Sequence, residues 1–205
     1  MMKLIALSLV ALLGAACGGD DGVDSDEEAR RAYFGLDSSI GKSLTLGFAG
    51  FNTATSANIA PQMTTGVLAG TLVISGQVDQ GSSDNKGMRL KVGMVDYNDG
   101  TLVIDGEELD VDITYNTPSD VTLQPALTLS LKNIPPAGGA PGTLEGTLLG
   151  DYAMGGDLEG TINLNLTFAG AIVHDGTSII RAVGTTTVTG TANSGDGTYD
   201  VNITL

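Results

Sequence analysis

From Ser43 to Leu205 apolar and polar residues alternate with a period of two almost throughout. Leu44, Leu46 and Phe48 open the pattern. Leu68, Leu72, Ile74 and Val78 follow, then Met88, Leu90, Val92 and Met94, then Leu109, Val111, Ile113 and Tyr115. Val121, Leu123, Leu127, Leu129 and Leu131 come next, and the longest run sets Leu158, Ile162, Leu164, Leu166, Phe168 and Ile172 on one side. Tyr199, Val201, Ile203 and Leu205 close the chain. Such alternation is the mark of antiparallel strands with one dry and one wet face. Enrichment in Thr and Val agrees with strand geometry.

Asn98-Asp99-Gly100, Asp105-Gly106, Asp175-Gly176 and Ser194-Gly195-Asp196-Gly197 separate the runs with residues that tolerate positive φ. Short connections of this kind predict an up-and-down meander. "LEGTLLG" at 144–150 and "LEGTINL" at 158–164 read as two arms of one hairpin. The Pro- and Gly-rich stretch 133–142 predicts a longer loop, suited to a crossing between sheets.

The pattern therefore predicts an all-β domain, an antiparallel meander of about nine or ten long strands. Long strands must curve, and Gly70, Gly146, Gly160, Gly170, Gly184 and Gly190 offer places to bend. A closed or nearly closed barrel leaves no exposed edges and is the first expectation; a β-sandwich is the second. One short N-terminal helix is expected over about residues 26–34. Ser25 and Glu28 have capping-box spacing, Ala29, Ala32 and Tyr33 share a face, and Gly35 supplies a stop. No helical period is read after Gly35.

The N-terminus has a different character. Met1, Met2 and Lys3 precede an apolar run from Leu4 to Leu13, and Gly14-Ala15-Ala16 leads to the only cysteine of the chain, Cys17. A charged start, an apolar run of about ten and small residues describe a secretory signal rather than a membrane span. "LLGAAC" resembles the lipobox of bacterial lipoproteins, with Gly14 at the place that family usually gives to Leu. The resemblance implies cleavage before Cys17, lipidation of Cys17 with fatty acids such as palmitate, and a membrane partner reached through that lipid. Gly18 rather than Asp at the next position implies, by the enteric sorting rule of that family, the outer membrane on either its periplasmic side or the cell surface. Residues 18–28, "GGDDGVDSDEE", read as an acidic, solvated spacer. Its Asp20, Asp24 and Asp26 lack the central Gly and later Glu of a calcium loop in register. The expected organisation is a signal peptide over 1–16, lipidated Cys17 and a tether with its short helix over 17–40, and a single β domain over 41–205.

Composition narrows the function. With 24 acidic against 9 basic residues and a net charge of −15, the chain lacks the cationic clusters that bind nucleic acid. Candidate chemistry is sparse. His174, the single histidine, adjoins the Asp175-Gly176 turn, and with no spare Cys it builds no ordinary zinc site. No nucleophile-elbow, P-loop or dinucleotide motif is present. Glu108, Asp110 and Asp112 share one strand face and read as a solvated face before a cation site. The sequence thus points to a non-enzymatic protein with no cofactor and no metal. Its dry face, with Leu129, Leu148, Leu164, Phe168 and Val188, would line a barrel interior able to hold a hydrophobic ligand. Two alternatives stand beside this carrier: a structural or adhesive surface domain without a small-molecule site, and a membrane-spanning barrel. The last is disfavoured by a C-terminal Leu and too few aromatics for two girdles. A register expectation completes the reading. A two-residue turn at Asp99-Gly100 would set Lys91 opposite Glu108 and Arg89 opposite Asp110, with Leu90 facing Leu109.

Overall fold

A computed structural model describes residues 22–100, 102–104, 107–109 and 111–205. The expected signal peptide, Cys17 and Asp20 lie outside the described residues.

The first element among the described residues is a helix, α1 (Asp26–Thr53). Ser25 caps it in extended geometry (φ −148°, ψ 161°), its Oγ accepting from the Glu28 N–H at 3.3 Å. The Glu28 carboxylate reaches back to the Asp24 N–H at 2.8 Å, so the N-terminal donors are satisfied reciprocally. Asp26, Glu27 and Glu28 in the first turn complement the helix dipole. The helix does not stop at Gly35. It runs on to Thr53, where the Ala54 N–H closes it on Gly50 O and Phe51 O. The strand expected through Leu44, Leu46 and Phe48 is therefore helical. The buried set Ala29, Ala32, Tyr33, Leu36, Ile40, Ser43, Leu44 and Gly47 recurs every three or four residues, the spacing of a helix face. Helix propensity is not the cause, because Gly35, Gly41, Gly47 and Gly50 each cost about 1 kcal/mol relative to Ala. Burial is. Positions 35, 47 and 50 lie hard against Tyr115, Met88 and Ile59, where a larger side chain would push the helix off the sheet. The helix runs unbroken across residue 40, through the boundary expected between tether and β domain. The spacer reading also fails from Val23 onward: Val23 is 1% exposed and its carbonyl accepts from Ser194 Oγ at 2.7 Å.

Among the described residues twelve strands follow: β1 (Asn58–Thr65), β2 (Ala69–Val78), β3 (Lys86–Asn98), β4 (Leu102–Ile104), β5 (Glu107–Leu109), β6 (Ile113–Asn116), β7 (Ala126–Lys132), β8 (Gly142–Gly156), β9 (Gly160–His174), β10 (Ile179–Arg181), β11 (Thr187–Asn193) and β12 (Thr198–Thr204). Ten of them build one antiparallel sheet in the order β1-β2-β3-β6-β8-β9-β11-β12, with β7 between β3 and β8 and β10 beside β9. The meander is that predicted by the alternation. Two of its lanes are interrupted strands. β6 and β7 both lie between β3 and β8, separated by the excursion 117–125, and β10 and β11 both line β9, separated by 182–186. The sheet is a partial ring. Its outermost strands, β1 and β12, both pack against α1.

Several expectations need correction. The 133–141 stretch joins the adjacent strands β7 and β8 of one sheet and makes no crossing. Val121 and Leu123 belong to the excursion, not to a strand. β5 pairs with β4 in a separate two-stranded sheet, so Leu109 and Ile113 do not share a strand. Glu108 consequently lies opposite Val103, while Lys91 faces Ser75 and Ala126, and Arg89 faces Gln77 and Thr128. The expected charge pairs are absent for that reason. Arg89 instead bonds Asp79 at 2.8 Å, and Lys91 Nζ donates to the carbonyls of Thr122 and Gln124. The hairpin expected from the two "LEGT" pieces is present, β8 and β9 pairing from Gly142↔Ile172 to Met154↔Gly160.

One core contains the dry face of the sheet and the inner face of α1 together. Tyr115 and Tyr152 meet edge to face at 6.3 Å within it, and the Tyr115 hydroxyl donates to Ala32 O of the helix at 2.7 Å. Burial pushes both phenols to a higher pKa than a free tyrosine.

Candidate functional site

The sheet register brings the five candidate ligand-binding residues to one face. Leu129, Phe168 and Val188 fall in a single row across β7, β8, β9 and β11, with Gly146 between Leu129 and Phe168. Leu148 lies in the next row and Leu164 in one further along. All five are at most 4% exposed and join the core that α1 completes. The Phe168 ring covers Gly146 so closely that a Cβ there would overlap it. The interior that the sequence assigns to a greasy ligand thus holds a helix.

Two partly buried ion-pair clusters, each centred on a buried aspartate, hold that helix in place, and alternation gives no sign of either. Asp37 of α1 receives Arg181 of β10 through two bonds of 2.8 and 2.6 Å, and Tyr33 donates to the same carboxylate at 2.7 Å. Burial, then the neighbouring Asp37 carboxylate, hold the Tyr33 phenol well above the usual tyrosine range. Burial opposes charge on Arg181, but its bonds to Asp37 outweigh that and raise its pKa. On the other flank, Lys42 of α1 meets Asp99 at 2.5 Å and lies 5.2 Å over the Tyr97 ring. The Tyr97 hydroxyl donates to the other oxygen of Asp99, and burial followed by that carboxylate raises the Tyr97 pKa. In each cluster the charges are mutually satisfied, so the arrangement positions the helix and leaves no base or nucleophile free. The signal that could have found the first was the placement of Asp37 beside Tyr33 and Leu36 at the edge of the buried helical stripe; Lys42 lies off that stripe and gives no such sign.

The outer face is polar. Thr128, Thr147, Thr167 and Thr189 form one row across four strands and rim an open depression of about 460 Å³ with Glu145, Ala169 and Phe168. Thr167 and Thr189 hydroxyls lie 3.1 Å apart, bonded to each other. The remaining candidates are turn features. His174 Nδ1 accepts from the Gly176 N–H at 3.0 Å, and Asp175 accepts from the N–H groups of Thr177 and Ser178, which lower its pKa. Asp112 accepts from Asn98 Nδ2 at 2.6 Å, while Asp110 lies outside the described residues. Among the described residues no three His, Cys, Asp or Glu side chains group to hold a metal ion.

No family model, no curated protein and no solved structure matches this chain.

Proposed function

We propose that this protein is a lipid-anchored lipoprotein of the bacterial cell envelope whose β domain is a structural or adhesive module without an enclosed ligand site. The single observation behind the second part is the docked helix. α1 lies on the dry face where a carrier would keep its cavity, and two ion-pair clusters pin it there. The polar outer face supports the same reading against a lipid-spanning barrel, whose outward side chains are apolar at membrane depth. Here rows such as Thr128-Thr147-Thr167-Thr189 and Glu145, Asp151 and Asn163 face outward instead. The anchor rests on the lipobox resemblance at Cys17.

Both parts have direct tests. Cys17→Ser moves the protein from the membrane fraction to the soluble envelope fraction, and a palmitate analogue labels wild type only; equal labelling of the two removes the anchor. Native mass spectrometry of the Cys17→Ser chain shows the mass of the polypeptide alone. A copurifying lipid at one per chain would restore the carrier reading.

A further inference from the structure

Among the described residues eight large apolar side chains are exposed. Met63, Val67, Leu68, Val95, Val121 and Leu123 belong to β1–β3, their connecting turn and the excursion laid over them, while Leu149 lies on β8 and Val183 on the link between β10 and β11. Two of these stand out by position. Val67 and Leu68, 74% and 63% exposed, form the tip of the β1–β2 hairpin, where turns ordinarily carry Gly, Asn, Asp or Ser. The tip is firmly held. The Gly66 N–H donates to Gly70 O at 3.1 Å, the Leu68 N–H to Asn98 O at 3.0 Å, and the Val67 N–H to the Asp99 carboxylate at 3.0 Å. Asp99 is itself fixed by Lys42 of the helix. Hydrogen bonds from three directions therefore present two apolar side chains to solvent.

Alternate turns of an up-and-down meander share one end of the sheet. The tip at 66–68 accordingly shares its end with the turns at 157–159 and 194–197. The chain also enters there, since Ser194 holds the Val23 carbonyl. From Cys17 to Val23 the backbone spans at most about 20 Å. A lipid on Cys17 thus keeps this end of the domain close to the bilayer.

We propose that the Val67–Leu68 tip is a second membrane contact, which inserts into the interfacial zone of a zwitterionic bilayer and seats the anchored domain end-on. The inference rests on the lipid anchor proposed above. Glu159, Asp196 and Asp200 at the same end select against strongly anionic lipid, whose surface potential repels them. Apolar side chains at a rigid tip gain from burial in the headgroup–acyl boundary as interfacial helices do.

The chain contains no Trp, so one introduced Trp reports its own surroundings. Leu68→Trp and Leu123→Trp are compared in lipidated protein reconstituted into phosphatidylcholine vesicles with brominated acyl chains. Leu123, 67% exposed, sits on the excursion beside the middle of β3 and serves as the control. The expected result is a blue-shifted, bromine-quenched emission for L68W and a buffer-like emission for L123W. The Cys17→Ser chain binds the same vesicles weakly, loses that binding with Val67→Asp and Leu68→Asp together, and binds less when phosphatidylglycerol is added. An unshifted L68W in protein retained on vesicles by its lipid overturns the proposal, and so does equal quenching of both reporters. Absence of palmitate label together with absence of vesicle retention removes the anchor itself, a failure read separately from the tip.

Discussion

Gly35→Ala and Gly41→Ala add the same methyl group six residues apart on α1, and should move stability in opposite directions. At Gly41 the nearest atom to a new Cβ is Arg181 Nε at 3.9 Å, an ordinary contact. The variant keeps every interaction and gains helix propensity, about 1 kcal/mol. At Gly35 the new Cβ lands on the Tyr115 hydroxyl, with ring carbons at 3.0 and 3.1 Å. Tyr115 is fully buried and its O–H donates to Ala32 O, so the ring cannot retreat without giving up that bond. Losing it costs about 1 kcal/mol. Overpacking adds about 1–3 kcal/mol, and propensity returns about 1 kcal/mol. The net is a destabilisation of about 1–3 kcal/mol, and the two variants should differ by about 2–4 kcal/mol. Urea unfolding of the Cys17→Ser chain, followed by circular dichroism, resolves a gap of that size. In a domain this long it also separates the thermal midpoints by about 4–16 °C. If both alanines raise the midpoint equally, α1 is not docked on the sheet at Tyr115, and the argument against an open interior fails.

Ser43→Ala should stabilise the fold by about 1 kcal/mol, because Ser43 Oγ is buried with no hydrogen-bond partner among the described residues; a lowered urea midpoint would show that the hydroxyl is satisfied after all. Alkaline pH should unfold the protein steeply. Tyr33, Tyr97, Tyr115 and Tyr152 all have pKa values raised by burial above the free value near 10. Their contribution is complete below about pH 10 and is lost as pH rises beyond it, because the unfolded chain ionises first. Each phenol contributes a slope of about 1.4 kcal/mol per pH unit, about 5–6 kcal/mol per unit for the four together. Urea midpoints between pH 9 and 11, with tyrosinate absorbance recorded alongside, check this; tyrosinate appearing well before unfolding would contradict it.

Legibility in the sequence varied with how local the cause was. The long strand β9 and the short β12 were readable because each keeps one parity dry over its whole length, as in Leu164, Leu166 and Phe168, and β3 because it does so from Met88 to Met94, before the face switches to Tyr97. The helix start was readable because Ser25 and Glu28 cap within four residues. The continuation of the helix was not. Leu44, Leu46 and Phe48 satisfy a period of two, and only the docking of Gly35, Gly47 and Gly50 against Tyr115, Met88 and Ile59 makes the period of 3.6 prevail. The charge register at Asp99-Gly100 failed for a similar reason. The chain leaves the main sheet there to pair β4 with β5, and short-range turn chemistry does not forbid that. The candidate interior residues do share one dry face, but the helix across the core from them runs past the 26–34 segment suggested by capping and through residues 43–48, whose alternation suggests a strand.

Alternation by itself determined that this chain forms an antiparallel meander with Leu, Ile, Val and Met on one side and Thr, Asn, Asp and Glu on the other, because side-chain direction in a strand depends only on residue parity. Tertiary structure decided what the dry side faces. A glycine-rich segment with little helix propensity becomes a helix of 28 residues because its buried face packs into the partial ring, where Asp37 reaches Arg181 and Lys42 reaches Asp99. Those partners lie 144 and 57 residues away in the chain, beyond the reach of any local pattern.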